Sequence, residues 1–299
     1  MSKNKPKAKI LEPSQGNRIQ KVLAGIGVAS RREIERWMVE GRISVNGQVA
    51  KPGDRITMDD KVILDGKLIP LDKIEKKYTR IIVYNKPEGV VCSRTDPESR
   101  PTVFDKLPKP ESARWVSVGR LDINTTGLLL LTTDGELANR LMHPSSEVDR
   151  EYAVRVAGAV DDSVLNKLRE GVLLEDGMAR FTDIQDAGGT GFNHWYHVAL
   201  MEGKNREVRR LWESQGVQVS RLKRVRYGCV FLPSRLRSGL WEELDSASAK
   251  DLYELVGLKP KSIKKLTPDD KKVKARRLSK RPVQARRTSK NNKHARRPF

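Results

Sequence analysis

The sequence predicts an α+β fold in which a small unit of two helices and a hairpin precedes a larger domain built on a mixed, mainly antiparallel sheet. Three observations predict it. Short alternating apolar runs recur between Gly, Pro and Asn turns, the mark of hairpin-connected strands. Only a few stretches carry the 3.6-residue apolar period of helices. At 299 residues the chain exceeds the common single domain, so one sizeable core with an accessory module is expected.

Residues 18–26 place Ile19, Val22, Leu23 and Ile26 on one helical face before Gly25 and Gly27 loosen the chain. Ser30 followed by Glu33 reads as a capping box, and the helix it opens turns Ile34, Trp37 and Met38 inward before Gly41 stops it. Arg31, Arg32 and Arg36 are left on or near its outer face. Ile43 and Val45 then alternate as a strand into Asn46-Gly47, a strong two-residue hairpin signal, and Gln48-Val49 returns. This order resembles the RNA-binding module named after ribosomal protein S4, over residues 18–77. The resemblance implies that the Arg31, Arg32 and Arg36 face meets RNA phosphate.

A Lys-rich connector, Lys73 to Lys77, leads to a second domain expected over residues 78–258. Ile81 to Tyr84 and Val90 to Cys92 read as a hairpin about Asn85-Lys86-Pro87-Glu88-Gly89. Trp115 to Val118 and Leu128 to Leu131 read as further strands, with Asp134 capping a helix over 136–142. Alternation at 152–156 and 195–200 adds strands, and 207–214 a helix carrying Val208, Leu211 and Trp212.

The net charge of +21 is concentrated at the ends. Residues 1–17 hold four Lys and one Glu, and residues 259–299 hold seventeen Lys or Arg against two Asp, a net of +15. The body is nearly balanced. Two basic arms, of which 259–299 reads as a disordered tail, suit a polyanion such as RNA, because each cation that meets a phosphate releases condensed counterions. Two cysteines, Cys92 and Cys229, and no cleavable leader point to a reducing cytoplasm, and no apolar run approaches the ~20 residues of a membrane span.

Three stretches combine polar chemistry with tight local structure. Gly119-Arg120-Leu121-Asp122-Ile123-Asn124-Thr125-Thr126-Gly127 lies between two expected strands, where a scaffold can hold a carboxylate rigid yet reachable. Arg150-Glu151-Tyr152 opens a strand with a phenol ring. Glu202 to Arg210 is a strand-to-helix turn in which Lys204 and Arg206 join backbone donors of a helix start, a place fit for an anion.

Together, and in this order with Asn85 to Gly89, these stretches resemble the pseudouridine synthases, specifically the branch that carries an S4-type module and modifies ribosomal RNA. Segments 96–105 and 134–144 look most like its large-subunit type B members, which implies large-subunit (23S) RNA, in assembly intermediates, as substrate of a monomeric enzyme. The resemblance makes Asp122 the catalytic carboxylate, attacking the ribose C1′ or abstracting a 2′ proton. Arg209 is then its cationic partner, able to grip both oxygens, and Tyr152 stacks on the target base. Arg120 takes the place of a residue that fills the gap left by a flipped base or binds phosphate. Leu222 lines the base pocket.

Other signals point elsewhere and are weak. His194 and His197, three apart on a strand, face opposite sides and cannot share a metal ion. Gly188-Gly189-Thr190-Gly191 lacks the context of a phosphate loop. The isomerisation conserves atoms and oxidation state, so neither cofactor nor metal is expected. A non-catalytic ribosomal RNA binder would need the basic module but not Asp122, Tyr152 and Arg209 together. A methyltransferase would need a Gly-rich nucleotide turn.

Overall fold

The computed structural model describes residues 16–71, 78–110, 113–190 and 192–263. The basic arm before Gly16, the connector at 72–77 and the tail from 264 lie outside the described residues. The N-terminal module runs β1 (Asn17–Arg18), α1 (Ile19–Gly25), α2 (Arg31–Val39), β2 (Ile43–Val45), β3 (Gln48–Val49), β4 (Arg55–Ile56), β5 (Val62–Leu64) and β6 (Lys67–Ile69). Ser30 Oγ accepts from Glu33 N at 3.0 Å, satisfying a donor that the helix start leaves open. Glu33 turns its own carboxylate to Arg36 rather than closing the second half of the box. Asn46 and Gly47, at φ 52° and 85°, make the turn that joins β2 to β3. Ile19, Leu23, Ile34, Met38, Ile43 and Val62 form the module's core.

The second domain runs β7 (Ile81–Lys86), β8 (Val116–Val118), β9 (Thr126–Thr132), α3 (Gly135–Met142), β10 (Arg150–Ala157), α4 (Asp162–Glu170), β11 (Val172–Leu174), β12 (Gly177–Ala179), β13 (Asp183–Thr190), β14 (Asn193–Leu200), α5 (Glu207–Glu213), β15 (Gln218–Tyr227), β16 (Val230–Phe231), β17 (Trp241–Glu243) and α6 (Ser246–Leu255). Its sheet has the order β13-β14-β10-β15-β9-β7-β17, with β8 added to β9 and β16 to β15. Every pairing is antiparallel except β9 with β15, a short parallel seam at Thr126 and Gly127 against Lys223 and Arg224. One apolar core lies on each side of it. Leu168 of α4 and Leu211 and Trp212 of α5 fill the first with Val154 and Val198, while Ile82, Leu129 and Leu131 anchor the second.

The seam depends on Gly127, whose φ is +98°. A Cβ there would also run into the Arg224 carbonyl. Gly127→Ala is therefore expected to destabilise the fold by about 3 kcal/mol, combining left-handed strain with a backbone clash. An unchanged midpoint in urea unfolding would show that the seam is not this tight.

The expected hairpin over residues 81–92 is not formed. β7 pairs with β9 and β17, and Val91 makes only an isolated parallel bridge to Thr102. Pro87 offers no N–H to a ladder, and Gly89 N donates to Ile123 O at 2.9 Å, which commits the turn to the Asp122 loop instead. Residues 259–263, read from sequence as the start of the tail, stay on the body. Thr79 N donates to Ser262 O at 2.8 Å, and Lys261 Nζ meets the buried Asp134 carboxylate at 2.8 Å.

Candidate active site

An open cleft of about 1660 Å³ lies over the β9–β15 seam. It is larger than the usual small-molecule pocket. Asp122, Arg120, Tyr152, Leu222, Lys204 and Arg206 line it, joined by Arg32 from α2. Its lining holds eight Arg or Lys against five carboxylates, so an anionic occupant is favoured.

Asp122 sits half-exposed in the loop between β8 and β9. Thr125 N donates to its carbonyl at 3.1 Å, closing a turn. Lys86, 0% exposed, supports that turn from beneath, with Nζ at 2.9 Å from Thr125 O, 3.0 Å from Pro87 O and 3.4 Å from Ile123 O. Burial pushes the Lys86 ammonium below its ordinary pKa, and the charges of Cys92, Asp122 and Glu88 oppose that shift. Behind the same loop, Arg209 of α5 is buried and donates from Nη1 to Val219 O at 2.9 Å and from Nη2 to Asn124 O at 3.1 Å. Burial and then Arg206 lower its pKa, while Asp122 pulls it upward. Two desolvated cations thus stand within electrostatic reach of one carboxylate.

Tyr152 enters the cleft where β10 slips its register against β15, between Glu151 and Tyr152. Such a bulge re-aims a side chain, and here it lets the ring pack partly against both cores. Leu222, opposite Val154 on β15, is 6% exposed and gives the cleft an apolar wall. Nearby, the Arg150 and Arg224 guanidinium groups lie over the Tyr227 ring, 5.1 and 5.0 Å from its centroid. Tyr227 is fixed in turn by its hydroxyl, which donates to Leu141 O at 2.7 Å.

The family model described as RNA pseudouridylate synthase matches residues 80–214, and that of the S4 domain matches residues 17–62. Ribosomal large subunit pseudouridine synthase B of Escherichia coli (strain K12) is 56% identical over 265 residues, covering 87% of this chain and 91% of that protein. The chain belongs to the RNA pseudouridylate synthase family. The Pseudomonas aeruginosa protein of the same name is 58% identical over 253 residues, and the match spans 84% of this chain but 66% of that longer relative. A solved structure described as a pseudouridylate synthase is 26% identical, covers 80% of this chain and 99% of its own, and superposes with a TM-score of 0.55.

Within the family frame, the structure alters three expectations drawn from sequence. Arg209 does not grip the Asp122 carboxylate; its terminal nitrogens serve two backbone carbonyls. The strand-to-helix turn before α5 is not an open anion cradle, because the buried Glu207 carboxylate already accepts from Lys204 N at 2.9 Å. Lys204 Nζ pairs with Glu202 at 2.9 Å and bonds Met178 O at 2.5 Å, whereas the exposed Arg206 remains at the cleft rim. On α2, Arg36 is held by Glu33 and Glu40, while Arg31 and Arg32 turn toward the second domain.

Sequence reasoning gave Lys86, Arg150 and Arg224 no role. Each sat in a quoted motif, but a buried Lys after a strand looks in sequence like an ordinary turn residue. His194 and His197, read as unable to share an ion, bond Asp186 at 2.7 Å and Glu151 at 2.9 Å respectively.

Proposed function

We propose that the protein isomerises a uridine of large-subunit (23S) ribosomal RNA to pseudouridine, with Asp122 as its reacting carboxylate. The observation that carries the reading is the Asp122 loop, presented at a basic cleft and backed by buried Lys86 and Arg209. The named relatives act on the large ribosomal subunit, which supplies the substrate class.

The reaction breaks the N1–C1′ bond, turns the base and joins C5 to C1′, while the proton leaving C5 is matched by one gained at N1. No co-reactant is consumed. The target must first leave its stack, at a cost of a few kcal/mol. Leu222 and Tyr152 then offer an apolar wall and an aromatic face for the extruded base, and exposed Arg120 stands at the cleft edge to bind phosphate or fill the vacated stack. Either route for Asp122, attack at C1′ or removal of a 2′ proton, needs an ionised carboxylate.

Incubating the purified protein with unmodified large-subunit ribosomal RNA should convert a defined uridine, read by pseudouridine mapping before and after. An unchanged map overturns the reading. Truncation after Ile263 keeps the Lys261 contact yet removes most of the basic tail. It is expected to weaken RNA binding and flatten its salt dependence without moving the modified site, since phosphate contacts set affinity and carry no sequence information. A salt slope equal to that of the full chain would make the tail a solubility arm.

A further inference from the structure

A second cavity, of about 600 Å³, opens at the seam between the S4 module and the following domain. Arg31 and Arg32, at the start of α2, line one side, and Arg94 and Arg114 line the other. Among the described residues no carboxylate lines it, and none of the four forms an ion pair. The two domains are close here: a Cβ on Gly27, whose φ is +85°, would stand 3.1 Å from the Ala113 carbonyl carbon. Arg94 is held in place by donating to the Trp115 carbonyl and by lying over the Phe104 ring, 4.4 Å from its centroid.

Four guanidinium groups around one cavity repel one another; Arg114 is half-buried, while Arg31, Arg32 and Arg94 are exposed and solvent and salt screen part of their repulsion. The titration behaviour agrees: burial and then Arg31 lower the pKa of Arg114, while burial and then Arg114 lower that of Arg94. Such a cluster presents like charge that an entering anion would neutralise. Guanidinium forks match phosphate oxygens in two-point contacts. The cavity also adjoins the active-site cleft, because Arg32 and Met142 line both. A strand leaving the cleft would meet the seam next.

We propose that this seam is a binding site for backbone phosphates of the RNA substrate, built jointly by Arg31 and Arg32 of the S4 module and by Arg94 and Arg114 of the second domain. The inference rests on the RNA reading given above. It adds that the substrate bridges the two domains: the phosphates neutralise the repelling cluster and clamp the S4 module against the catalytic part, so affinity and domain registration come from one contact.

Arg114→Gln tests it, because this residue has no hydrogen-bond partner among the described residues. Two measurements on the full chain are needed, the melting midpoint without RNA and the binding of a large-subunit ribosomal RNA transcript across a salt series. The midpoint should hold or rise, since a repelled charge is removed. Binding at low salt should weaken by about tenfold, and the slope of log affinity against log salt should flatten by about one. Arg42→Gln, whose wild-type side chain is satisfied by Asp65 and Glu40, should leave that slope unchanged. A lowered midpoint with an unchanged slope for Arg114→Gln would make the cluster ordinary packing and overturn the proposal. Equal flattening by Arg42→Gln would overturn it too, reducing the seam to a general basic surface. Neither readout requires turnover, so a failure to form pseudouridine would remove the functional reading while this comparison still decides the seam.

Discussion

Asp122→Asn is expected to abolish pseudouridine formation while leaving the melting midpoint and RNA affinity close to those of the unaltered protein. The amide is nearly isosteric, and among the described residues the loop is framed by bonds to backbone carbonyls rather than to the carboxylate. Thr125 N bonds the Asp122 carbonyl, Lys86 bonds the carbonyls of Pro87, Ile123 and Thr125, and Arg209 bonds that of Asn124. What the change removes is an anion able to attack carbon or accept a proton. The loss should therefore fall on the chemical step, by at least about 10³ in single-turnover rate. Product formed at more than about a hundredth of the normal rate would take Asp122 out of the reaction and turn attention to the other carboxylates of the cleft.

The parts of this site that sequence reveals are those set by local chemistry. Asn46-Gly47 dictates a hairpin wherever it falls, Ser30 and Asp134 cap the helices that follow them, and the Asp122 loop is delimited by strands whose apolar content is plain. Placement across the sheet is a different matter. Nothing local indicates that β15 lies parallel to β9, so the wall formed by Leu222 and Arg224 is legible only once the seam exists. The hairpin read at 81–92 fails for the same reason. Both of its halves look like strands, but β9 offers β7 a longer apolar partner, from Leu128 to Leu131, than Val90 to Cys92 can. Helices α4 and α6 went unread because their inward faces carry few large side chains, although Asp161 and Asp245 cap them as side chains of that type do.

Burial of charge is the least legible feature of all. Lys86, Arg209 and Arg224 are 0%, 5% and 2% exposed, in a sequence whose other cations lie mostly on the surface and its terminal arms. All three spend their donors on backbone carbonyls around the seam rather than on carboxylates. A cation used in this way fixes the backbone and leaves its field for the nearest anion. For Lys86 and Arg209 that anion includes Asp122. Desolvated fixed charges act more strongly than solvated ones. The geometry therefore divides the work: carbonyl bonds hold the loop, and the same groups place positive charge behind it.

Arg209 separates this arrangement from a generic basic patch. Arg209→Ala deletes a buried cation that joins the Asp122 loop, through Asn124 O, to β15, through Val219 O. It leaves both carbonyls short of a donor and lowers the positive potential behind Asp122, a combination expected to cost several kcal/mol at the site. Single-turnover rate at saturating RNA should fall by about 10² or more. Arg209→Lys should recover little, because one ammonium cannot replace the guanidinium's planar fork across two elements, even though the charge is kept. The two variants together apportion the effect: recovery by Lys assigns it to charge alone, and failure of both assigns it to the bridge. A surface phosphate contact behaves otherwise, weakening binding modestly in a way that added salt masks and sparing turnover once RNA saturates. Near-normal single-turnover rates in both variants would detach Arg209 from the site and leave the support of the Asp122 loop to Lys86.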